Sequence, residues 1–165
     1  VYPAEYLAPE TLPMGPGVGI ETVTGRLGEA WTQGPVVLSW STILDDVHGP
    51  RRGRNVVLHE FAHVLDMSDL SANGTPPLGS DAEYRTWRAV MTAEFRRLHR
   101  DARRGRTLLD TYGTTNEAEF FAVATECFFE RPREMSRQLP QLYALLRGFF
   151  RQDPAAWSES HRVTL

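Results

Sequence analysis

His59-Glu60-Phe61-Ala62-His63 constrains this chain more than any other run, because it is an HExxH pattern inside a segment free of helix breakers. On a helix, two imidazoles four residues apart stand one above the other and can hold one Zn²⁺. The Glu after the first can reach a metal-bound water. At about 100° per residue, Val57, Phe61, Val64 and Leu65 fall on one stripe, which is expected to be buried. His59, His63 and Asp66 lie nearly opposite, and Glu60 lies between the two faces. That separation suits a metal-binding helix. In the alternative, an ordinary core helix, the histidines would sit within or beside the apolar stripe, each bonded to a carbonyl.

Catalytic zinc takes three protein ligands and leaves a fourth position for water, so two histidines are not enough. His48, His99 and His161 are isolated from other chemical residues. A better source is Thr111-Tyr112-Gly113-Thr114-Thr115-Asn116-Glu117-Ala118-Glu119, continuing to Phe129. Asn116 or Thr115 can cap a helix running from Glu117 to Phe129 without Gly or Pro. On it Glu119 and Glu126 share a face with Ala122 and Val123, and a carboxylate on an apolar face needs a partner because desolvating a lone charge is costly. Two helical turns separate the two carboxylates by about 10 Å, so only one can reach a given ion. The spacing leaves open which one, and a solvated face remains the alternative for either.

These segments together, HEFAHVLD, then TYGTTNEAEFFAVATE, then FFERP, resemble the zinc peptidase family of the Mlc titration factor A. TYG and NEAEFFA are also similar to the catalytic domain of anthrax lethal factor. Val1-Tyr2-Pro3-Ala4, Trp31 to Trp40 and Phe149 to Pro154 extend the titration-factor likeness over nearly the whole chain. The resemblance implies that His59, His63 and Glu119 are zinc ligands, one ion per chain, that Glu60 is the general base and that Tyr112 stands beside the metal. Glu126 matches a second acidic position whose role stays open. The implied activity is hydrolysis of peptide bonds, an aminopeptidase-like mode being one form of it. Because the titration-factor family also binds a transcriptional repressor, a regulatory binding protein that keeps the zinc site is the rival reading.

Length and charge set limits on the rest. The chain has 165 residues, enough for one domain with a substantial core. Its net charge of -3 offers no general attraction to nucleic acid. The segment Arg96 to Arg106 carries six Arg against one Asp, which reads as a solvated, dipole-compensating helix end. An acidic partner surface or nucleic acid is the weaker alternative, since no aromatic residue interleaves with the arginines. Cys127 is the single cysteine, read as a buried small hydrophobe rather than a nucleophile, and a lone cysteine fits a reducing cytoplasm. No apolar run is long enough to span a membrane, and no signal peptide is visible. The start at Val1, without Met and directly in strand-like sequence, reads as a catalytic portion lacking the N-terminal helical region that titration-factor relatives carry.

The pattern predicts strands over Val1 to Tyr6, Ile20 to Trp31 (bent near Gly25 to Gly28) and Val36 to Trp40, with a loop over Pro9 to Gly19 and a turn at Gln33-Gly34-Pro35. Helices follow: a short one capped by Ser41, the metal helix Arg54 to Met67, Asp81 to Arg104, the Glu119 helix ended by Pro132, and Gln141 to Phe150. Strands first and helices after imply α+β. The resemblance refines this to a zincin-like fold, with a small mixed sheet packed on the HExxH helix. Val36 to Trp40 is the candidate edge strand for holding an extended peptide by its main chain.

Within that frame Glu60 would take the proton of the attacking water and Tyr112 would donate to the oxyanion. Tyr112 beside Gly113 also fits a plain turn tyrosine. Asp66 could orient an imidazole or face solvent, and Glu126 could support a ligand or touch substrate. Trp31 and Trp40 read as packing residues, and the loop from Ser68 to Ser80 as a candidate pocket wall.

Overall fold

The computed structural model describes residues 6–15, 18–26, 28–29, 36–48 and 53–157. Most of the strand expected from Val1, together with Trp31, the Gln33-Gly34-Pro35 turn and His161, lies outside the described residues. β1 (Tyr6–Gly15) and β2 (Val18–Arg26) pair antiparallel, from Tyr6 opposite Arg26 to Gly15 opposite Val18, with a register shift between Pro13 and Gly15. The expected loop from Pro9 is therefore an arm of a hairpin. Pro9 and Pro13 stand an even number of residues apart on β1, so their missing donors face the same side of the strand, and among the described residues each strand of this ladder pairs on one side only.

β3 (Gly28–Glu29) pairs antiparallel with β4 (Val37–Leu38) and lies against the HExxH helix. Among the described residues no mixed sheet forms; both ladders are antiparallel. The connection from Glu29 to Val37 is too short for the crossover that a parallel pair needs. The expected strand through Trp40 stops at Leu38, because Ser39, not Ser41, caps α1 (Trp40–His48): its hydroxyl accepts the Thr42 N–H at 3.4 Å.

α2 (Val56–Asp66) starts at Asn55, whose side-chain oxygen accepts the Leu58 N–H at 3.1 Å. α3 (Asp81–Ala102) is capped by Ser80, and α4 (Glu117–Glu130) by Asn116, which accepts the Glu119 N–H at 2.9 Å. Pro132 does end α4, but it also opens α5 (Pro132–Gln138), and Pro140 opens α6 (Pro140–Phe150). A proline at the first helical position loses no bond, since that N–H has no intrahelical acceptor.

α4 is the centre of the molecule, with Ala118 and every residue from Phe120 to Phe128 buried. A helix apolar on nearly all sides must be surrounded, and α2, α3, α5 and α6 all touch it. Trp87 of α3 meets Phe121 and Phe149 edge-on at 5.5 and 5.3 Å, while Phe128 packs on Tyr143 and Phe150. Truncating one such buried ring to Ala costs about 3–5 kcal/mol.

α2 contradicts the helical-wheel expectation. Phe61 is 52 % exposed, and Val64 and Leu65 are exposed too, while Ala62, Glu60 and Asp66 are buried. α2 turns its histidine side, not its apolar stripe, onto α4, because α4 offers the carboxylates that partner the polar face. Trp40, expected to pack, is also exposed. The arginine-rich end of α3 is a solvated helix terminus, Arg97 pairing with Glu94 and Asp101 and Arg96, Arg100, Arg103 and Arg104 exposed. Among the described residues no helix is long and apolar enough to cross a membrane.

Candidate metal centre

Three side chains from two helices converge where α2 crosses α4. His59 Nε2 lies 3.0 Å from Glu119 Oε2 and 3.2 Å from His63 Nε2, and His63 Nε2 lies 3.5 Å from the same Glu119 oxygen. Around a tetrahedral ion with bonds of about 2.0–2.1 Å, neighbouring donors stand about 3.3 Å apart. The observed edges bracket that value, and two imidazoles with one carboxylate are a donor set that zinc accepts. Among the described residues these three form the candidate metal cluster. His48 is turned to its own helix, its Nδ1 2.9 Å from the Leu44 carbonyl, and His99 packs on Phe95.

Glu126, left open by the sequence, sits behind His59. Its Oε1 is 2.7 Å from His59 Nδ1, and its Oε2 accepts the Asn55 N–H at 2.5 Å. The roughly two-turn spacing that keeps Glu119 and Glu126 from sharing an ion lets them take the two nitrogens of one ring. With the proton on Nδ1 donated to Glu126, the Nε2 lone pair points at the cluster. Asn55 was not singled out from the sequence, where the metal helix was expected to start at Arg54. It ties α2 to α4 through Glu126 and through its Nδ2 donating to Glu130 at 2.8 Å, and the Asn preceding an apolar helical run was the signal for it.

Charge follows from this packing. Burial opposes a charge on His59, but the hydrogen bonds and charges of Glu119 and Glu126 prevail and push its pKa from 6.5 to about 10. Burial likewise opposes the Glu119 carboxylate, and His59 and His63 overcome it, holding the pKa down at about 2. The cluster therefore favours positive charge between its carboxylates, supplied either by a proton or by a cation.

Glu60 is buried on α2 between the two histidines. Tyr112 lies in a short 3-10 turn, Thr111–Thr114, with its ring centred 6.0 Å from that of His59 and with 54 % of its surface open. Asp110 accepts the Tyr112 N–H at 2.9 Å and fixes the turn. The turn lies close to α4 because Gly113 is buried: a Cβ there would stand 3.2 Å from Leu98 Cδ2 and 3.4 Å from Val123 Cβ.

Asp66 is fully buried, so the solvent-facing alternative is excluded. Its oxygens accept the backbone N–H groups of Gly74 and Thr75 at 2.8 and 2.7 Å, which ties it to the loop after α2. Cys127 is buried in the core, and burial pushes its thiol up to about 12, as expected of a packing residue.

Residues 1–151 match the model of the glucose-regulated metallo-peptidase M90 family. An uncharacterized protein of Synechocystis sp. is 41% identical over 136 residues, which cover 81% of this chain and 50% of that protein. The Mlc titration factor A of Yersinia enterocolitica is 32% identical over 163 residues, 94% of this chain and 59% of the relative. That of Edwardsiella ictaluri is 35% identical over 134 residues, 78% of this chain and 50% of the relative. The chain thus spans about half the length of the curated relatives it matches.

Proposed function

Because the chain belongs to the glucose-regulated metallo-peptidase M90 family, we propose that it is a zinc-dependent peptidase built on a zincin-like plan. His59, His63 and Glu119 hold one Zn²⁺. The observation that carries this reading is the triangle of donor atoms with edges of 3.0, 3.2 and 3.5 Å. Zinc, when bound, acts as a Lewis acid that brings the pKa of its water near 7.

The chain's own residues do the rest. Glu60, buried on α2, accepts the proton of the water that attacks the peptide carbonyl. Tyr112 donates its phenolic hydrogen to the oxygen that gains charge. Glu126 holds the His59 ring so that Nε2 faces the ion. β4 offers the main-chain edge for an extended substrate. The lone buried Cys127 suits work in a reducing cytoplasm.

The test is zinc content and peptide-library cleavage for the parent chain and Glu60→Gln. The expected result is one zinc in both, with turnover reduced about 10²- to 10⁴-fold in the variant. Equal turnover would refute Glu60 as the base, and a parent that takes up no zinc would refute the site.

The relatives' name, Mlc titration factor A, favours a second reading: a regulatory protein that keeps the zinc site and binds a transcriptional repressor or another protein with little turnover. The same Glu60→Gln variant separates the two, since repressor binding would survive the loss of a base while peptide cleavage would not.

A further inference from the structure

A residue that bears no chemistry of its own, in the loop after α2, lies directly against the first residue of α4. Gly74, in the loop after α2, has φ of +74°, a conformation that side chains disfavour. A Cβ on it would fall 2.3 Å from the carbonyl oxygen of Glu117 and 2.7 Å from the carbonyl carbon. Both are backbone atoms of the first residue of α4, which cannot swing aside, and Glu119 follows two residues later.

Gly74 is fixed on its other sides as well. Its N–H donates to Asp66 Oδ2 at 2.8 Å, and the next N–H, of Thr75, donates to Oδ1 at 2.7 Å. Its carbonyl accepts from Trp87 Nε1 at 2.9 Å, and Trp87 is itself locked edge-on between Phe121 and Phe149. Asp66 is the last residue of α2, one turn beyond His63, and is 0% exposed. A carboxylate is buried this deeply only where it satisfies specific donors, and here the donors belong to one loop.

The contacts run in one line: His63, a turn of α2, Asp66, Gly74, Glu117, a half-turn of α4, Glu119. We propose that Asp66 and Gly74 are positioning residues that together form a spacer between α2 and α4, fixing the separation of the His63 and Glu119 ligand atoms. The inference rests on the zinc site proposed above and adds to it the device that sets its dimensions. Side-chain bulk at position 74 would push α4 outward at its first turn, where Glu119 sits. Weakening the Asp66 clamp would let the loop, and with it the separation, drift.

The test measures the metal, not turnover. Zn²⁺ affinity would be obtained by competition with a chromophoric chelator for the parent chain, Gly74→Ala and Asp66→Asn. The visible absorption of the Co²⁺-loaded forms would report ligand geometry, and thermal melts would report folding. Both variants should melt cooperatively, bind Zn²⁺ on the order of 10- to 100-fold more weakly, as losses in the support of metal ligands typically do, and show a changed Co²⁺ spectrum. If Gly74→Ala fails to fold, Asp66→Asn carries the test, since the amide keeps the shape of the carboxylate and gives up one acceptor. Parent-like affinity and spectrum in a folded variant would overturn the spacer while leaving the zinc site standing. A parent chain that binds neither ion would overturn both.

Discussion

Glu126 faces His59 across the junction of α2 and α4, its Oε1 2.7 Å from Nδ1, while Glu119 on the same helix approaches the opposite nitrogen at 3.0 Å. One imidazole is thus held between two carboxylates, one on the side of His63 and one behind the ring.

Replacing the two carboxylates should therefore give different defects. Glu119→Ala removes a donor atom and should abolish stoichiometric zinc binding at micromolar metal. Glu126→Ala leaves three donors in place, so saturation should still reach one zinc per chain, with affinity lowered about 10- to 100-fold. Titration against a chelator distinguishes them, and the reverse order of severity would mean that the ligand is Glu126.

Zinc affinity should rise with pH. His59 has its pKa raised to about 10, so at neutral pH it carries a proton that a metal must displace. Glu119, held at about 2, is already ionised and adds no proton to the exchange. The apparent association constant should then increase about tenfold per pH unit from neutrality toward the His59 pKa. Calorimetry in buffers of different ionisation enthalpy should detect about one proton released per zinc; a flat profile would show that His59 carries no proton to displace at neutral pH.

Tyr112→Phe should lower kcat on the order of 10²-fold with little change in KM or zinc content, as for a donor used in the transition state. The ring is centred 6.0 Å from that of His59, which brings the phenol to the side of the cluster. Unchanged kcat on a peptide substrate would make Tyr112 a turn residue only.

Cys127 should not react with thiol reagents in the native protein, because it lies in the core with its thiol pushed up to about 12. Alkylation should appear only across the unfolding transition. Fast labelling of the folded chain would contradict the packing of α4.

Part of the site was legible because it is local: HExxH, the Asn116 cap and the two-turn spacing of Glu119 and Glu126 are properties of single helices, whereas the choice of Glu119 over Glu126 came from the family resemblance and not from the spacing. The burial of α2 was misread because a helical wheel assumes that apolar atoms face inward, whereas here the partner helix supplies carboxylates and the histidine side goes in, leaving Phe61 exposed. Pro132 was read as a terminator, although its ring suits the first position of α5. The roles of Glu126, Asp66 and Gly74 depend on contacts between residues distant in sequence, which no spacing reveals.

α4 carries Glu119 and Glu126 and is, among the described residues, the most enclosed helix, while α2 carries the imidazoles with one side exposed. Local opening is easiest where fewest apolar contacts must be broken, so α2 should move before α4 does. A bound ion would then lose the support of the imidazole side before that of the carboxylate side. Amide exchange slower in α4 than in α2 would be the trace of that order, and a chelator should strip the ion without melting the centre of the molecule.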